Sequence, residues 1–130
     1  MNYRGVIIEE SLENKNVLRN VQILESKVEQ VTSNHKTPWV RQWTLHTVEI
    51  PEDMAESTAE KLSHSIDASH ESSWYADYKN NHYHYIVFRN KIFKVDLKNP
   101  TLYKDARSYG ISIIPEYQVD FRPEDKDWKR

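Results

Sequence analysis

The pattern of apolar and polar positions predicts the clearest helix of the chain directly after Pro51. Proline suits the first turn of a helix, and the acidic residues Glu52 and Asp53 favour the positive end of the helix dipole. Small and apolar side chains then recur at positions i, i+4, i+7 and i+11, which lie on one side of an α-helix. They are Ala55, Ala59, Leu62 and Ile66. We therefore expect a helix over residues 52–69 that packs a single apolar stripe on the core.

Alternation of apolar and polar residues predicts strands in much of the remaining chain. The first three strands are expected over 3–9, 22–32 and 39–50, with the turn-forming residues 33–38 joining the last two as a long hairpin. A three-stranded meander follows over 73–79, 82–89 and 92–97, with turns at Asn80-Asn81 and Asn90-Lys91. Shorter helices are expected over 12–20 and 100–109, the second ending at Gly110, and an edge strand over 111–121.

This order of elements predicts an α+β fold. The first six elements alternate as in a ferredoxin-like split βαβ unit, with an antiparallel sheet and extra C-terminal strands and a helix. The helices at 52–69 and 100–109 are expected on the same face of the sheet, because each has one apolar stripe. We expect a single domain over residues 1–121, followed by a charged tail over 122–130 that frays.

The meander divides its side chains between two faces, because residues on one face alternate with residues on the other. The first, which we call the apolar face, carries Ile86, Phe88, Phe93, Val95 and Leu97. The second, which we call the aromatic face, carries Trp74, Tyr78, Tyr83, Tyr85 and Arg89. The apolar face is expected beneath the helices. The aromatic face is too rich in aromatic rings to remain in water and too polar for a core covered by a helix, so something else should cover it.

Composition narrows the classes of function. The chain has no cysteine, which excludes disulfides, zinc ribbons and thiol nucleophiles. Its net charge is −2 and it lacks a basic block, so nucleic-acid binding is not expected. No apolar run approaches the ~20 residues of a membrane span, and no secretory signal is recognisable, which predicts a cytoplasmic protein without membrane contact. No phosphate-binding loop, metal-ligand spacing or cofactor motif is present, so no metal and no cofactor are predicted.

One candidate catalytic cluster lies at the polar end of the meander. A two-residue turn at Asn80-Asn81 places Asp77 opposite His84, with His82 beside them and Tyr75 as a possible proton donor. A carboxylate next to an imidazole orients it and raises its basicity, which is the usual arrangement of a general base. The alternative is a hydrogen-bonded polar rim without a catalytic role.

The aromatic face is the second candidate site. We expect it to form a homodimer sheet to sheet, to be covered by the hairpin of the same chain, or to stack a small planar ligand. The leading hypothesis is therefore a small binding or assembly domain that homodimerises through this face. The alternative is a small enzyme that catalyses hydrolysis or proton transfer with Asp77, His84 and His82.

The segment over residues 74–79, Trp-Tyr-Ala-Asp-Tyr-Lys, is followed by His-Tyr-His-Tyr over 82–85 and Lys-Ile-Phe-Lys-Val-Asp over 91–96. This part of the chain resembles a family of small uncharacterised prokaryotic proteins, over about a third of the length. The resemblance implies no activity, cofactor or partner.

Overall fold

The strands form a single antiparallel sheet. The structure, a computed structural model, describes residues 1–32, 41–67, 74–99 and 101–113. Its strands are β1 (Tyr3–Ile8), β2 (Gln22–Gln30), β3 (Gln42–Ile50), β4 (Ala76–Lys79), β5 (Tyr83–Phe88) and β6 (Lys91–Asp96), and its α-helices are α1 (Ala55–Ser65) and α2 (Leu102–Ile113). The strands lie in the order β2-β3-β1-β4-β5-β6, and every neighbouring pair is antiparallel. The predicted α+β class is confirmed.

The helix expected over 12–20 does not form. The chain makes two short 3-10 helices instead, Glu9–Ser11 and Lys15–Asn20. Between these two helices, the backbone is hydrogen-bonded to the C-terminal end of α1. The N–H of Glu13 donates to the carbonyl of Ser65 over 2.7 Å, and the N–H of Asp67 donates to Ser11 over 2.7 Å. They occupy the carbonyl of Ser11, which would accept the first hydrogen bond of the helix, and the bridge between Leu12 and Ile66 holds this segment extended.

Helix α2 is longer than the sequence predicts. It runs through Gly110 to Ile113, so the expected C-terminal cap at Gly110 is wrong. The first three residues of the expected edge strand over 111–121 are helical instead. A glycine inside a helix costs only about 1 kcal/mol relative to alanine, which packing readily outweighs. The remainder of that strand, the tail over 122–130 and the turn at 33–38 lie outside the described residues.

The two α-helices cover opposite faces of the sheet. In one buried cluster, Ala59 and Leu62 of α1 pack with Tyr78 and other members of the aromatic face. In the other cluster, Tyr103 and Ala106 of α2 pack with the apolar face. The expectation that both helices share one face is therefore wrong, and the strand order also differs from that of a ferredoxin-like sheet. The physical reason is that the β5–β6 hairpin is apolar on both faces, so each face requires its own cover.

The division of the meander into two faces is confirmed, although both turns differ from those expected. Lys79 pairs with His84 and Phe88 pairs with Lys91, so each register is shifted by two residues. In the first turn, the side chain of Asn80 accepts the backbone N–H groups of residues 82 and 83 and holds a wider loop. In the second, Asn90 has a positive φ of 59°. A shift of two leaves every side chain on its original face.

Candidate functional site

The aromatic face is part of the main core beneath α1. Trp74, Tyr78 and Tyr85 are buried there. The ring of Tyr3 meets Tyr78 and Tyr85 edge to face, with centroids 5.7 and 5.4 Å apart. The hydroxyl of Tyr78 donates to the carbonyl of Ala55 over 2.5 Å, and burial raises the pKa of Tyr78. The face is therefore not too polar for a helix to cover, because its buried hydroxyl has a partner within the helix.

Tyr83 and Arg89, the remaining residues of the aromatic face, also contact other residues of the same chain. The ammonium of Lys94 lies 4.3 Å from the centroid of the Tyr83 ring. The guanidinium of Arg89 donates to the carbonyls of His64 and Ile66 over 2.8 and 2.9 Å, at the C-terminal end of α1, where a cation is favoured. Helix α1 therefore covers the buried rings of this face, so that part of the cover comes from the chain itself.

The predicted pair of Asp77 and His84 forms, and Tyr103 of α2 completes it. The Nε2 of His84 lies 2.7 Å from Oδ2 of Asp77, and its Nδ1 lies 2.7 Å from the hydroxyl of Tyr103. All three side chains are buried, and His84 has no exposed surface. The network therefore fastens α2 to strands β4 and β5 through polar groups that are hidden from solvent.

The hydrogen-bond partners assign the protons in this network. Nε2–H of His84 donates to the carboxylate of Asp77, which leaves Nδ1 to accept the O–H of Tyr103. Burial, and then the negative charge of Asp77, raise the pKa of Tyr103 to about 12. The phenol therefore keeps its proton at neutral pH and remains a donor. The composition is that of an acid–base pair, and all three side chains of the network are buried and hydrogen-bonded to one another.

The other residues of the predicted catalytic cluster have different surroundings. His82 is exposed in the β4–β5 loop. The ring of Tyr75 packs against Phe88 with centroids 5.7 Å apart. The hydroxyl next to His84, which was expected to be that of Tyr75, belongs to Tyr103. Sequence reasoning did not assign Tyr103 to this site; its spacing of three residues from Ala106, which packs in the same cluster, was the signal available. A cavity of about 190 Å³ lies near the other end of β5, lined by Glu60, Ser63, His64, Asn90, Lys91 and Ile92.

A second hydrogen-bonded histidine was also missed. Ser26 on β2 stands opposite His46 on β3, with Oγ 2.7 Å from Nδ1. The Nε2 of His46 lies 3.2 Å from Oε1 of Glu9, whose other oxygen lies 3.6 Å from Nζ of Lys15. His46 is buried whereas Ser26 is exposed. The contact of Ser26 with His46 could have been predicted from the sequence, because a hairpin centred near residue 36 places residue 26 opposite residue 46.

Strand β2 presents a different kind of surface. It lies at one edge of the sheet, and eight of its nine residues are exposed. The part of the chain that the structure describes has four large exposed hydrophobic side chains, and three of them are on β2: Ile23 at 43% exposed, Leu24 at 40% and Val28 at 52%. Single exposed apolar residues are ordinary on protein surfaces, but their concentration on one edge, which pairs with no further strand of the described residues, is not.

The comparisons with known proteins found no relative. No family model, no curated protein and no solved structure matches the chain. Among residues 1–32, 41–67, 74–99 and 101–113, no group of three or more histidine, aspartate or glutamate side chains is arranged to hold a metal ion. The helices within those ranges are also too short or too polar to cross a membrane.

Proposed function

We propose that the protein is a cytoplasmic assembly domain that binds another polypeptide strand along the outer edge of β2. The observation that carries this proposal is the grouping of exposed apolar side chains on a nine-residue edge strand. Strand addition uses the unpaired backbone groups of an edge for affinity and the side chains beside them for specificity.

The backbone of β2 is oriented for such an addition. The N–H of Val31 donates to the carbonyl of Arg41 over 3.0 Å, and the register of β2 and β3 is regular from Glu25 to Gln30. Since hydrogen-bonding direction alternates along an antiparallel strand, the odd-numbered residues of this stretch point their N–H and C=O groups towards β3. Ser26, Val28 and Gln30 therefore direct theirs outward.

The opposite edge of the sheet is less suited to strand addition. Strand β6 has six residues, and its exposed side chains are the charged residues Lys91, Lys94 and Asp96. Both α1 and α2 pack beside it. Charged side chains and covering helices are the usual means by which proteins protect an edge from further pairing. The contrast points to β2 as the edge that accepts a partner.

The experiment that tests the proposal uses a fluorescein-labelled peptide with the sequence of residues 22–32. We expect its fluorescence anisotropy to rise and saturate as the full-length protein is added. Val28→Pro should abolish this binding, because it removes an outward N–H that the ladder with β3 does not use. Val28→Thr is the matched control, since it keeps that N–H and the branched shape. Equal binding by Val28→Pro, or no binding to wild type at dilutions where light scattering gives the single-chain mass, would contradict the proposal.

A second candidate function, ester hydrolysis, is favoured by the contacts of Ser26, His46 and Glu9. Oγ of Ser26 would attack the ester carbonyl carbon while its proton passes to Nδ1 of His46, and the Glu9 carboxylate would stabilise the resulting imidazolium. The proton then leaves on the alcohol, and water hydrolyses the acyl group from Ser26. The exposed position of Ser26 on an open edge, rather than in a cleft, makes this the weaker candidate.

A fluorophosphonate probe tests the hydrolase candidate. If His46 activates the serine, the probe should label Ser26 with loss of fluoride, and His46→Gln should slow labelling by roughly 10²-fold. Ser57 is the internal control, because it is exposed and its hydroxyl donates to a backbone carbonyl rather than to a histidine. Peptide mapping that finds no adduct, or equal adducts on both serines, would exclude this activity.

A further inference from the structure

We infer that the strand bound by β2 is β2 of a second copy of this chain, paired antiparallel about a two-fold axis through Val28. The inference rests on the proposed function, and it names the partner and the register. The interface of the homodimer would then be the exposed edge of β2 and not the aromatic face, which α1 covers. Two sheets would then join into one continuous sheet across the two copies.

Backbone geometry restricts the possible registers. Only residues with outward hydrogen-bonding groups can face each other in hydrogen-bonded pairs, so Ser26, Val28 and Gln30 must meet one another. A two-fold axis through Val28 satisfies this condition along the regular stretch of β2. Val28 then faces its own copy, and Ser26 faces Gln30 on both sides of the axis. The bulge between Ile23 and Glu25 lies outside these pairs.

Charge selects among the registers that remain. With the axis at Lys27, this lysine would face its own copy and Glu25 would face Glu29, so all three contacts would repel. With the axis at Glu29, two carboxylates would meet. An axis at Ser26 gives opposite charges at Glu25 and Lys27, but it places Leu24 of the bulge directly opposite Val28. With the axis at Val28, Lys27 faces Glu29 twice, and every central pair lies in the regular ladder.

The charges at this axis form an alternating square. Within one chain, Nζ of Lys27 lies 3.7 Å from Oε1 of Glu29, two residues along the same face. The two-fold axis adds a second glutamate opposite each lysine and a second lysine opposite each glutamate. On the other face, the side chain of Val28, which is 52% exposed in the single chain, packs against its own copy. Both the apolar contact and the ion pairs are self-complementary, as an isologous interface requires.

Charge reversal tests the partner and the register together. Light scattering of the full chain should give near twice the chain mass of 15.5 kDa. Lys27→Glu and Glu29→Lys should each give a protein of the single-chain mass, because four like charges then meet at the axis. An equimolar mixture of these two variants should regain twice the chain mass, since every facing pair is again of opposite sign. Glu25→Lys is the matched control and should remain a dimer, because Glu25 faces Val31 in this register.

The possible results separate this inference from the proposed function. A wild-type protein of single-chain mass up to millimolar concentration that still binds the 22–32 peptide would overturn self-assembly and leave strand addition standing. Failure of both measurements would remove both. Dissociation by Glu25→Lys, with dimers kept by Glu29→Lys, would overturn the register and indicate an axis at Ser26. Failure of the mixed variants to associate would also overturn the pairing.

Discussion

Replacing Tyr103 by phenylalanine tests whether the buried network holds α2 on the sheet. The substitution removes only the hydroxyl that donates to Nδ1 of His84 over 2.7 Å and keeps the ring that packs with the apolar face. It leaves a buried imidazole nitrogen without this donor. Such a loss costs about 1–3 kcal/mol of the free energy of unfolding. We expect a decrease in this range at pH 7, measured by urea denaturation.

The same substitution should change how stability depends on alkaline pH. The pKa of Tyr103 is about 12 in the folded protein, above its ordinary value of 10.0, so the folded state retains a proton that the unfolded state releases. The stabilisation is complete below pH 10 and is lost as the pH rises towards 12. The difference between wild type and Tyr103→Phe should therefore shrink by roughly 1–2 kcal/mol over this interval, after allowance for solvent screening of the full two-unit shift.

Two results would refute this account of the network. One is a decrease in stability below about 0.5 kcal/mol at pH 7, which is the range of ordinary surface substitutions. The other is a difference between the two proteins that stays constant from pH 9 to pH 11.5. Tyr83→Phe is the control, because Tyr83 is half-buried on the other face of the sheet and a phenylalanine ring can still accept Lys94. It should change stability by less than about 0.5 kcal/mol at pH 7.

The other predictions concern the core. Tyr85→Glu should lower the free energy of unfolding by several kcal/mol without changing the oligomeric mass, because Tyr85 is buried beneath α1; calorimetry and light scattering measure the two effects, and an unchanged melting temperature would refute the intramolecular cover. Gly5→Ala should prevent folding or cost more than about 3 kcal/mol, since its Cβ would overlap the backbone of Asp77 and Tyr78. A cost below about 1 kcal/mol would contradict the close approach of β1 and β4.

The type of most elements, and the face on which each side chain of the meander lies, could be predicted from the sequence. These properties depend on local periodicity, which is 3.6 residues in α1 and two in the strands. The contact of Asp77 with His84 was predictable for the same reason. An error of two residues in the turn leaves both side chains on one face, and a diagonal neighbour is still within reach of an imidazole.

The neighbours of each element could not be predicted from the sequence and are known from the folded structure. Strands β3 and β4 flank β1, and α1, which connects them along the chain, lies over the aromatic face. Local pattern does not encode this arrangement, because an aromatic strand face packs equally well on a helix of its own chain, on a hairpin or on a second copy. Tyr103 and the group of Ser26, His46 and Glu9 were missed for a related reason. Their partners are 19, 20 and 37 residues away in the chain, and contacts at such separations depend on the order of the strands, which no local period specifies.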